Sequence, residues 1–505
     1  MNVAILHYHL NRGGVTRVIE NHLRALDAVL DPRQPCNVAL LYGGRRDDWS
    51  DDLPQKLSGV NLRLYEVPSL DYDDQGAKGD LAAEVVALLG RIGFDPADTV
   101  VHVHNHSLGK NSSLPDCLWR LAAGGYPLLM QIHDFAEDLR PDNYRRISQP
   151  ESLYPQAPNL HYAVLNGRDF DILSSAGIAP NCLHMLPNPV PRLDDLPPRE
   201  QAREKLQSTF GIEPQQRYVF YPVRGIRRKN LGEFLLLSAL APPDTVLGLA
   251  LAPLNTAALP YYEDWKRLAE ELKLPCVFEV GDPGGRSFGE NLAAADAIVT
   301  TSLAEGFGMV FLESWLAGRP LIGRDLPEIT ADFTEAGMEF EWLYSRLKVP
   351  VGWVGEEAFQ VAIADAYRHT LKAYDRPEPP DTAEQLAAKM DAGFVDFGDL
   401  DESFQQQVIR EVHRDGSRRM EVLEANPLLS KITTIGESDA TAAIETNRLA
   451  INSHYALKPS GNRLLDLYAK VSASAGENNP HRLPHSERIL DRLLSPSRFR
   501  MIRGL

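Results

Sequence analysis

Short apolar runs alternate along the first 190 residues with stretches in which apolar side chains recur every three or four positions. The runs predict buried strands, and the three-to-four spacing predicts helices that bury one face. Strands are predicted at residues 3–6, 38–41, 62–67, 100–103, 128–132 and 162–165, and helices at 15–26 and 81–92. Strands that alternate with helices are typical of a parallel sheet covered on both faces, so the predicted fold class is α/β.

The alternation stops at a proline-rich stretch and then starts again. Residues 187–191 read Pro-Asn-Pro-Val-Pro, and prolines recur at 197 and 198, which favours an interdomain linker. Beyond it, strands are predicted at 218–223, 246–251, 277–280, 297–300 and 320–322, and helices at 231–240 and 261–272. This second set predicts a second doubly wound domain. Because such sheets bind ligands at the carboxyl ends of their strands, we expect a ligand site in a cleft between the two domains.

Composition narrows the function classes. Hydrophobic residues make up 44% of the 505 residues, and the formal net charge is −17. This charge argues against nucleic acid and anionic membranes as general partners, because both need a cationic protein surface. No window approaches 18 consecutive apolar residues, so we expect no membrane span and, without a signal peptide pattern, a cytoplasmic location. The four cysteines stand far apart, which favours free thiols in a reducing compartment.

The segment 301–313, Thr-Ser-Leu-Ala-Glu-Gly-Phe-Gly-Met-Val-Phe-Leu-Glu, carries the strongest chemical signal. Glu305 is predicted in a strand-to-helix loop, and Glu313 about two turns into the following helix. The loop glycines allow a ligand to approach the backbone, and a helix start offers unpaired N–H groups. The pattern predicts a site for a polyhydroxylated, phosphorylated ligand. Residues Gly306, Phe307, Gly308 and Met309 would form its floor, and Val310 is a further predicted donor-binding residue. The alternative is an ordinary capped turn.

This segment resembles the Glu-x7-Glu motif of retaining glycosyltransferases with the GT-B architecture, above all glycosyltransferase family 4. The resemblance implies two Rossmann-like doubly wound domains that face an interdomain cleft, with an added C-terminal helical region. It implies that Glu313 binds the ribose hydroxyls of a nucleotide-sugar and that Glu305 binds the hydroxyls of the transferred sugar.

Two basic residues follow the strand predicted at 218–223. Arg224 and Lys229 stand five residues apart and resemble the diphosphate-binding Arg and Lys of that family. A guanidinium and an ammonium both suit the charge that develops on a leaving diphosphate. The alternative is a solvated basic loop.

Further donor contacts are expected around the same ligand. Gly13 and Gly14 follow the first strand, resemble the family's N-terminal glycine loop and would face the diphosphate. They do not form the Gly-x-Gly-x-x-Gly pattern of redox dinucleotide enzymes. Glu279 and Val280 lie where the family cradles the base, which leaves UDP, GDP and ADP open as carriers.

His133 completes the predicted catalytic set with Glu305, Arg224 and Lys229. In the family, a histidine at such a position contacts the transferred sugar through its ring and backbone carbonyl. It is not expected to be a general base, since the resemblance implies that the leaving phosphate takes the acceptor's proton. A structural histidine is the alternative.

The acceptor is expected at the strand ends of the first domain. His102, His104 and His106 alternate along one strand, and a metal site there would need further ligands, so no metal is predicted. A polar strand end that lines the acceptor cleft is favoured instead. The predicted acceptor-binding residues are His104, Lys110, Asn111, Ser112, Asp134 and Arg140. The cations among them indicate a small anionic acceptor, and a plain helix cap with a solvated lysine is the alternative.

Four regions are predicted from these patterns. They are an N-terminal Rossmann-like acceptor domain at 1–190, a C-terminal Rossmann-like nucleotide-sugar donor domain at 200–370, a helical elaboration at 371–446, and a crossover helix with a basic tail at 447–505 that returns to the first domain.

The resemblance predicts a retaining, metal-independent hexosyltransferase with no cofactor. Its co-substrate would be a UDP-, GDP- or ADP-linked sugar, and its acceptor a hydroxyl of a small soluble molecule, with a glycosylglycerate-type solute as one hypothesis. Three alternatives stay open: a polysaccharide or lipid glycosyltransferase, an enzyme like UDP-N-acetylglucosamine 2-epimerase, and a non-catalytic nucleotide-sugar binder. The sequence also leaves a homo-oligomer open.

Overall fold

The structure is a computed structural model of the chain, and it describes residues 1–47, 49–76, 79–147, 149–281, 284–432, 434–436 and 438–504. The chain forms two compact units. Unit 1 contains residues 1–191 and 452–494, and unit 2 contains residues 192–451 and 495–505.

A parallel sheet forms the centre of unit 1, with the strand order β3-β2-β1-β4-β5-β7-β8. Its strands are β1 (Asn2–His7), β2 (Cys36–Tyr42), β3 (Val60–Glu66), β4 (Thr99–His104), β5 (Leu128–Gln131), β7 (Leu160–Val164) and β8 (Leu183–Met185). A small antiparallel pair joins β6 (Pro155–Gln156) to β18 (His481–Arg482). Two apolar cores contain the alternate side chains of β1, with Ala4 and Leu6 in one and Val3 and Ile5 in the other. Both faces of the sheet are therefore covered, as predicted for a doubly wound domain.

Helices flank this sheet, and the last long one comes from the far end of the chain. The helices are α1 (Gly14–Asp27), α2 (Leu53–Lys56), α3 (Leu81–Arg91), α4 (Leu114–Ala123), α5 (Pro141–Arg146), α6 (Gly167–Ala176), α19 (Leu457–Ser472) and α20 (Glu487–Leu493). Helix α19 packs against α1. The two helices approach closely at Gly461, where an added Cβ would lie 2.0 Å from the carbonyl oxygen of Ala25.

We expect Gly461→Ala to lower the free energy of unfolding by about 1–3 kcal/mol, because the methyl group must push α19 away from α1. Gly90→Ala in α3 is the matched control, since its Cβ would meet nothing within 4 Å. That change should stabilise the protein by about 0.5–1 kcal/mol through the better helix propensity of alanine. Denaturant unfolding of both variants tests this, and equal effects of the two changes would contradict it.

A second parallel sheet forms the centre of unit 2, with the strand order β11-β10-β9-β12-β13-β14. Its strands are β9 (Arg217–Arg224), β10 (Thr245–Leu251), β11 (Cys276–Phe278), β12 (Ala297–Thr300), β13 (Leu321–Arg324) and β14 (Leu343–Tyr344). A separate antiparallel sheet contains β15 (Lys348–Pro350), β16 (Met390–Asp391) and β17 (Phe394–Asp396). The predicted strand at 277–280 ends early, because Glu279 has a left-handed backbone with φ of 63°.

The helices of unit 2 are α7 (Arg199–Phe210), α8 (Leu231–Leu240), α9 (Leu259–Glu271), α10 (Phe288–Ala294), α11 (Val310–Leu316), α12 (Pro327–Glu335), α13 (Glu356–Ala373), α14 (Thr382–Ala387), α15 (Glu402–Arg414), α16 (Gly416–Ala425) and α17 (Pro427–Ile432). Helix α18 (Thr441–His454) spans the point where the chain passes from unit 2 to unit 1. Within the described residues, no helix combines the length and apolarity that crossing a bilayer requires.

The C-terminal regions are divided differently from the predicted boundaries. The predicted elaboration at 371–446 belongs to unit 2, where α15 packs on α8. Of the predicted 447–505 region, residues 495–505 also belong to unit 2. There the Arg498 side chain pairs with Glu328, and Met501 and Ile502 are buried. The end of the basic tail is thus packed against its own chain by charge pairing and apolar burial.

A buried ionic network lies beneath the sheet ends of unit 2. The Arg324 guanidinium, 1% exposed, contacts the Glu233 carboxylate at 2.5 Å and the Asp396 carboxylate at 2.8 Å. Arg500 from the C-terminal tail also donates to Asp396, at 2.9 Å. Glu233 in turn accepts a hydrogen bond of 2.7 Å from the Asn230 amide. The network therefore connects the C-terminal tail to the turn that precedes α8.

Candidate functional site

Strands β9 and β12 are neighbours in the unit 2 sheet although two strands separate them along the chain. The strand order reverses between them, and this reversal opens a crevice at the carboxyl ends of the strands where α/β folds bind ligands. Arg224 is the last residue of β9, the loop after β9 contains Lys229, and the loop after β12 contains Glu305. Lys229 and Glu305, 76 residues apart in sequence, therefore meet at one edge of the sheet.

Hydrogen bonds join these two loops. The Thr301 hydroxyl donates to the Lys229 carbonyl at 2.9 Å, and the Tyr221 hydroxyl donates to the same oxygen at 2.9 Å. The Leu303 backbone N–H donates to the Arg228 carbonyl at 2.8 Å. Because Tyr221 and Thr301 are buried, these bonds are shielded from water and fix the Arg227–Lys229 turn against the β12 loop.

Glu305 is held by two cations in this arrangement. Lys229 Nζ donates to Oε1 of Glu305, and Arg228 Nη1 donates to Oε2 at 2.8 Å. Burial by itself raises the pKa of Glu305, but the charges of Lys229 and Arg228 outweigh it and lower the pKa to about 2. Burial and the neighbouring Arg228 lower the pKa of Lys229 to about 8, against the opposing effect of Glu305. At neutral pH the pair is therefore ionised, with the lysine close to its titration range.

The glycine turn and the second glutamate follow Glu305. Gly308 has φ of 84°, and an added Cβ would lie 2.5 Å from the Phe311 ring, so glycine is required there. Helix α11 starts only at Val310, which places Glu313 in its first turn. The prediction that Glu313 lies about two turns into the helix is wrong, because residues 305–309 form the turn and not the helix. Glu313 is half-buried, Phe307 is buried, and Gly306 and Met309 are partly exposed.

Three further predicted donor residues of unit 2, Arg224, Glu279 and Val280, lie at the ends of strands β9 and β11 of the same sheet. Arg224 ends β9 and donates to the Ala252 carbonyl at 3.3 Å. The Glu279 carboxylate accepts hydrogen bonds of 3.0 Å from both Tyr262 and Lys266. Val280 is fully buried, and its backbone N–H donates to the β10 strand. The contact of Glu279 and Val280 with a base stays a prediction.

Gly13 and Gly14 lie in unit 1, directly after β1, at the start of α1. Both are exposed, and no side chain caps the helix. A Cβ on Gly14 would meet nothing within 4 Å, and one on Gly13 only the Asn11 carbonyl at 3.8 Å. The N-terminus of this 14-residue helix is accordingly open to an anion, as the glycine loop prediction requires.

A cluster of buried histidines lies behind this helix. His104 ends β4, and its Nδ1 lies 3.0 Å from Nε2 of His133. Burial lowers the pKa of His133 to about 4, so this imidazole is neutral at physiological pH. The helix α1 adds His22, which is 2% exposed. Because His22 is distant in sequence, the spacing of the β4 histidines gave no sign of it.

His22, His102 and His104 are close enough in space to be considered as metal ligands. His102, however, has a partner at each ring nitrogen: the Tyr468 hydroxyl at 2.8 Å and the Gln131 side-chain oxygen at 3.1 Å. Its ring also lies over that of His104, with centroids 4.2 Å apart. The geometry therefore favours a hydrogen-bonded core cluster, which joins α19 to β4. It does not favour a metal site, in which three nitrogen lone pairs would converge.

The predicted acceptor residues of the 110–112 segment are engaged with their own chain. The Asn111 side-chain oxygen accepts from the backbone N–H groups of Ser113 and Leu114, and its amide donates to the carbonyls of Ser69 and Asp71. Ser112 donates its N–H to Asp73. Lys110 is partly exposed, 3.6 Å from Asp74 and 5.4 Å from the Tyr72 ring centroid. The structure thus gives Asn111 a capping role, and acceptor binding by these residues stays a prediction.

Asp134 and Arg140 lie together after β5. Arg140 Nη2 donates to Asp134 Oδ1 at 2.6 Å, and the Asn105 amide donates to Asp134 Oδ2 at 3.2 Å. Asn105 has a left-handed backbone, with φ of 62°, and its side-chain oxygen accepts from the backbone N–H groups of residues 133 and 134. These contacts fix the loop that presents His133.

Sequence reasoning missed two features of the unit 2 site. Arg228 is absent from the predicted site residues, yet it contacts Glu305 directly. No site residue was predicted in the elaboration at 371–446, yet its buried Gln405 donates to Asn230, next to Lys229, at 2.9 Å. The first contact depends on a turn geometry and the second on a long-range packing, and neither leaves a local sequence signal.

Comparison with known proteins places these features in context. No protein-family model matches the chain. It is 27% identical over 344 residues to the mannosylglucosyl-3-phosphoglycerate synthase of Petrotoga mobilis. The match covers 66% of this chain and 66% of that relative, so about a third of the relative lies outside it. The likeness supports homology with glycosyltransferases, and membership of glycosyltransferase family 4 and the Glu-x7-Glu motif stay predictions.

Solved structures show the fold. Sucrose-phosphate synthase from Thermosynechococcus elongatus matches with a TM-score of 0.57 and 14% identity, over 94% of this chain and 100% of that one. HepE from Anabaena, in complex with UDP and glucose, matches with a TM-score of 0.53 and 13% identity, over 93% of this chain and 99% of that one. These neighbours are GT-B glycosyltransferases, and the predicted GT-B fold class with two Rossmann-like sheets is confirmed.

Proposed function

We propose that the chain is a retaining, metal-independent glycosyltransferase that moves a hexose from a nucleotide diphosphate sugar to a hydroxyl of a small anionic acceptor. The observation that carries this proposal is the contact of Lys229 with Glu305 at the strand reversal of unit 2, with Arg224 at the end of the adjoining strand β9. Two cations suit the charge of a diphosphate, and a carboxylate that accepts hydrogen bonds from hydroxyls suits the attached sugar. The homology with the Petrotoga synthase supports the same activity.

Each residue has a role that its chemistry supports. Cleavage of the bond between sugar and diphosphate leaves negative charge on the phosphate, and Lys229 and Arg224 would stabilise that charge in place of a metal. Glu305 would accept hydrogen bonds from the sugar hydroxyls, and Glu313 from the ribose hydroxyls. Gly13 and Gly14 would offer backbone N–H groups to the diphosphate. His133, neutral at physiological pH, would contact the sugar as a hydrogen-bonding group and not as a base.

The acceptor class is proposed from two observations. Two cationic side chains, Lys110 and Arg140, lie after strands β4 and β5 of unit 1, and both are partly exposed. The related synthase is named for a 3-phosphoglycerate derivative. A glycerate-type acceptor, with a carboxylate or phosphate beside its hydroxyl, fits both, and its product would be a glycosylglycerate-type solute.

A thermal-shift panel of UDP-, GDP- and ADP-sugars, followed by turnover with glycerate-type acceptors, tests the proposal. We expect at least one nucleotide-sugar to raise the melting temperature, and NMR of the product to show the donor's anomeric configuration. Activity should persist in EDTA. Absence of stabilisation by every donor would overturn donor binding, and an inverted product would overturn the mechanism.

Donor affinity should fall as pH rises through about 8. The pKa of Lys229 is lowered to about 8 by burial and by Arg228, so the ammonium that attracts the diphosphate loses its proton above that pH and keeps it below. Glu305 stays ionised throughout, because its pKa is about 2. Calorimetric titration with a nucleotide-sugar from pH 6.5 to 9 measures the decline. In Lys229→Arg, whose guanidinium stays charged, the alkaline decline should disappear. A decline that survives in Lys229→Arg would assign it to another group.

A further inference from the structure

Lys229 has two partners in the proposed site: Glu305 in the ligand-free protein and the diphosphate in the donor complex. In the ligand-free protein its ammonium is bonded to Glu305, while donor binding requires it to reach the diphosphate. When Lys229 turns to the diphosphate, the Glu305 carboxylate loses its largest source of attraction in a position where its side chain is 9% exposed. A buried carboxylate without a cation is strongly disfavoured, so a second cation must hold it if the exchange is to occur.

Arg228 meets that requirement. Its Nη1 atom donates to Oε2 of Glu305 at 2.8 Å and to the Ala304 carbonyl at 2.9 Å, so it holds both the carboxylate and the backbone beside it. Lys229 bonds to the other carboxylate oxygen, Oε1, so the two cations do not compete for one atom. The Arg228 backbone is itself fixed by the Leu303 N–H.

The neighbouring Arg227 is directed elsewhere. It pairs with Glu402 at 3.3 Å, and its guanidinium lies 5.8 Å from the centroid of the Tyr261 ring. Two adjacent arginines of the same turn thus have different partners, and only Arg228 reaches the predicted sugar-binding carboxylate. Arg227 provides a control with the same charge in the same turn, with 54% of its side chain exposed against 39% for Arg228.

We propose that Arg228 is a positioning residue that keeps Glu305 charged and oriented toward the donor sugar while Lys229 is transferred to the diphosphate. The inference rests on the proposed function. It assigns to Arg228 no contact with the donor: its effect passes through Glu305. Removing the Arg228 guanidinium should therefore weaken donor binding only when residue 305 is a glutamate.

A double-mutant cycle tests this dependence. Affinity for UDP-glucose, or for its GDP or ADP counterpart if that is the donor which stabilises the wild type, is measured by calorimetry in four proteins: wild type, Arg228→Gln, Glu305→Gln and the double variant. We expect Arg228→Gln to weaken donor binding about tenfold in the Glu305 background, the size of one charge-assisted hydrogen bond, and less than about twofold in the Glu305→Gln background. Arg227→Gln should leave the affinity unchanged, and Arg228→Lys should restore part of it.

The outcomes separate the inference from the proposed function. If the wild type binds a donor but Arg228→Gln has the same effect with and without the Glu305 carboxylate, the positioning role is wrong and the transferase proposal stands. An Arg227→Gln effect equal to that of Arg228→Gln would assign the loss to general charge and would also overturn the positioning role. If no nucleotide-sugar binds the wild type, both proposals fall.

Discussion

Replacing Lys229 by methionine is expected to lower kcat/KM by about 100- to 1,000-fold, the usual cost of removing one preorganised donor from the charge that develops in a transition state. Methionine preserves most of the side-chain volume in this position, where the lysine side chain is 11% exposed, but removes the ammonium that the diphosphate requires. The ion pair with Glu305 disappears as well, so Arg228 remains as the cation paired with that carboxylate. Steady-state kinetics with saturating acceptor measures the loss.

A lysine of unit 2 outside the site provides the control. Lys205 on α7 pairs with Glu290 at 2.6 Å, and Lys205→Met should leave kcat/KM within about twofold of the wild type, since surface ion pairs contribute little. Circular dichroism of both variants establishes that the fold is kept. If Lys229→Met retained full turnover in a folded protein, the assignment of the diphosphate to this turn would be wrong.

The second large effect concerns stability. Arg324→Met should lower the free energy of unfolding by about 3–5 kcal/mol, because the change leaves the buried Glu233 and Asp396 carboxylates without their shared cation. Burial raises the pKa of Glu233, and the charge of Arg324 is the largest of the effects that oppose this rise. Asp396 keeps Arg500 as a partner, whereas the donors that Glu233 keeps among the described residues are the neutral Tyr344 and Asn230. Urea unfolding at neutral pH measures the change.

An exposed arginine pair shows whether this effect depends on burial. Arg410→Gln removes the surface pair with Glu271, which water solvates in either case, so the unfolding midpoint should scarcely move. Similar shifts for Arg324→Met and Arg410→Gln would contradict the account of a buried network. Because Asn230 links Glu233 to the Lys229 turn, Arg324→Met should also weaken donor binding in the protein that remains folded.

The repeating pattern of the chain was sufficient to predict the fold class. A helix predicted at 231–240 and a strand predicted at 297–300 have those bounds in the structure, because each is a mainly apolar segment that begins after a polar residue. The glycine turn at 306–308 was also readable, since a left-handed backbone at Gly308 tolerates few other residues. The helix after the turn was extended too far back, because the apolar run from Met309 to Leu312 does not mark where the first helical hydrogen bond forms.

The candidate site was only partly readable. Arg224, Lys229 and Glu305 were found by their positions after strands, which the parallel sheet brings to one edge. Arg228, which contacts Glu305, and Gln405, which donates to Asn230, were not found, since both are ordinary polar residues until a turn or a distant helix gives them a neighbour. The same holds in unit 1 for His22, whose neighbour is His104. Asn111 shows the opposite case. A polar cluster at a helix start suggested ligand binding, but the Asn111 side chain accepts a hydrogen bond from the backbone of its own chain.

The sequence by itself determined the two doubly wound sheets, the acidic surface and the positions of the donor-binding candidates, because these depend on local periodicity, composition and spacing. The ionisation state of the site was decided only by the tertiary structure. It placed Lys229 and Arg228 on the two oxygens of Glu305, which makes the carboxylate strongly acidic and brings the lysine near its titration range. Charge interactions of this kind depend on distances of a few ångströms and on exclusion of water, and neither quantity exists until the chain is folded.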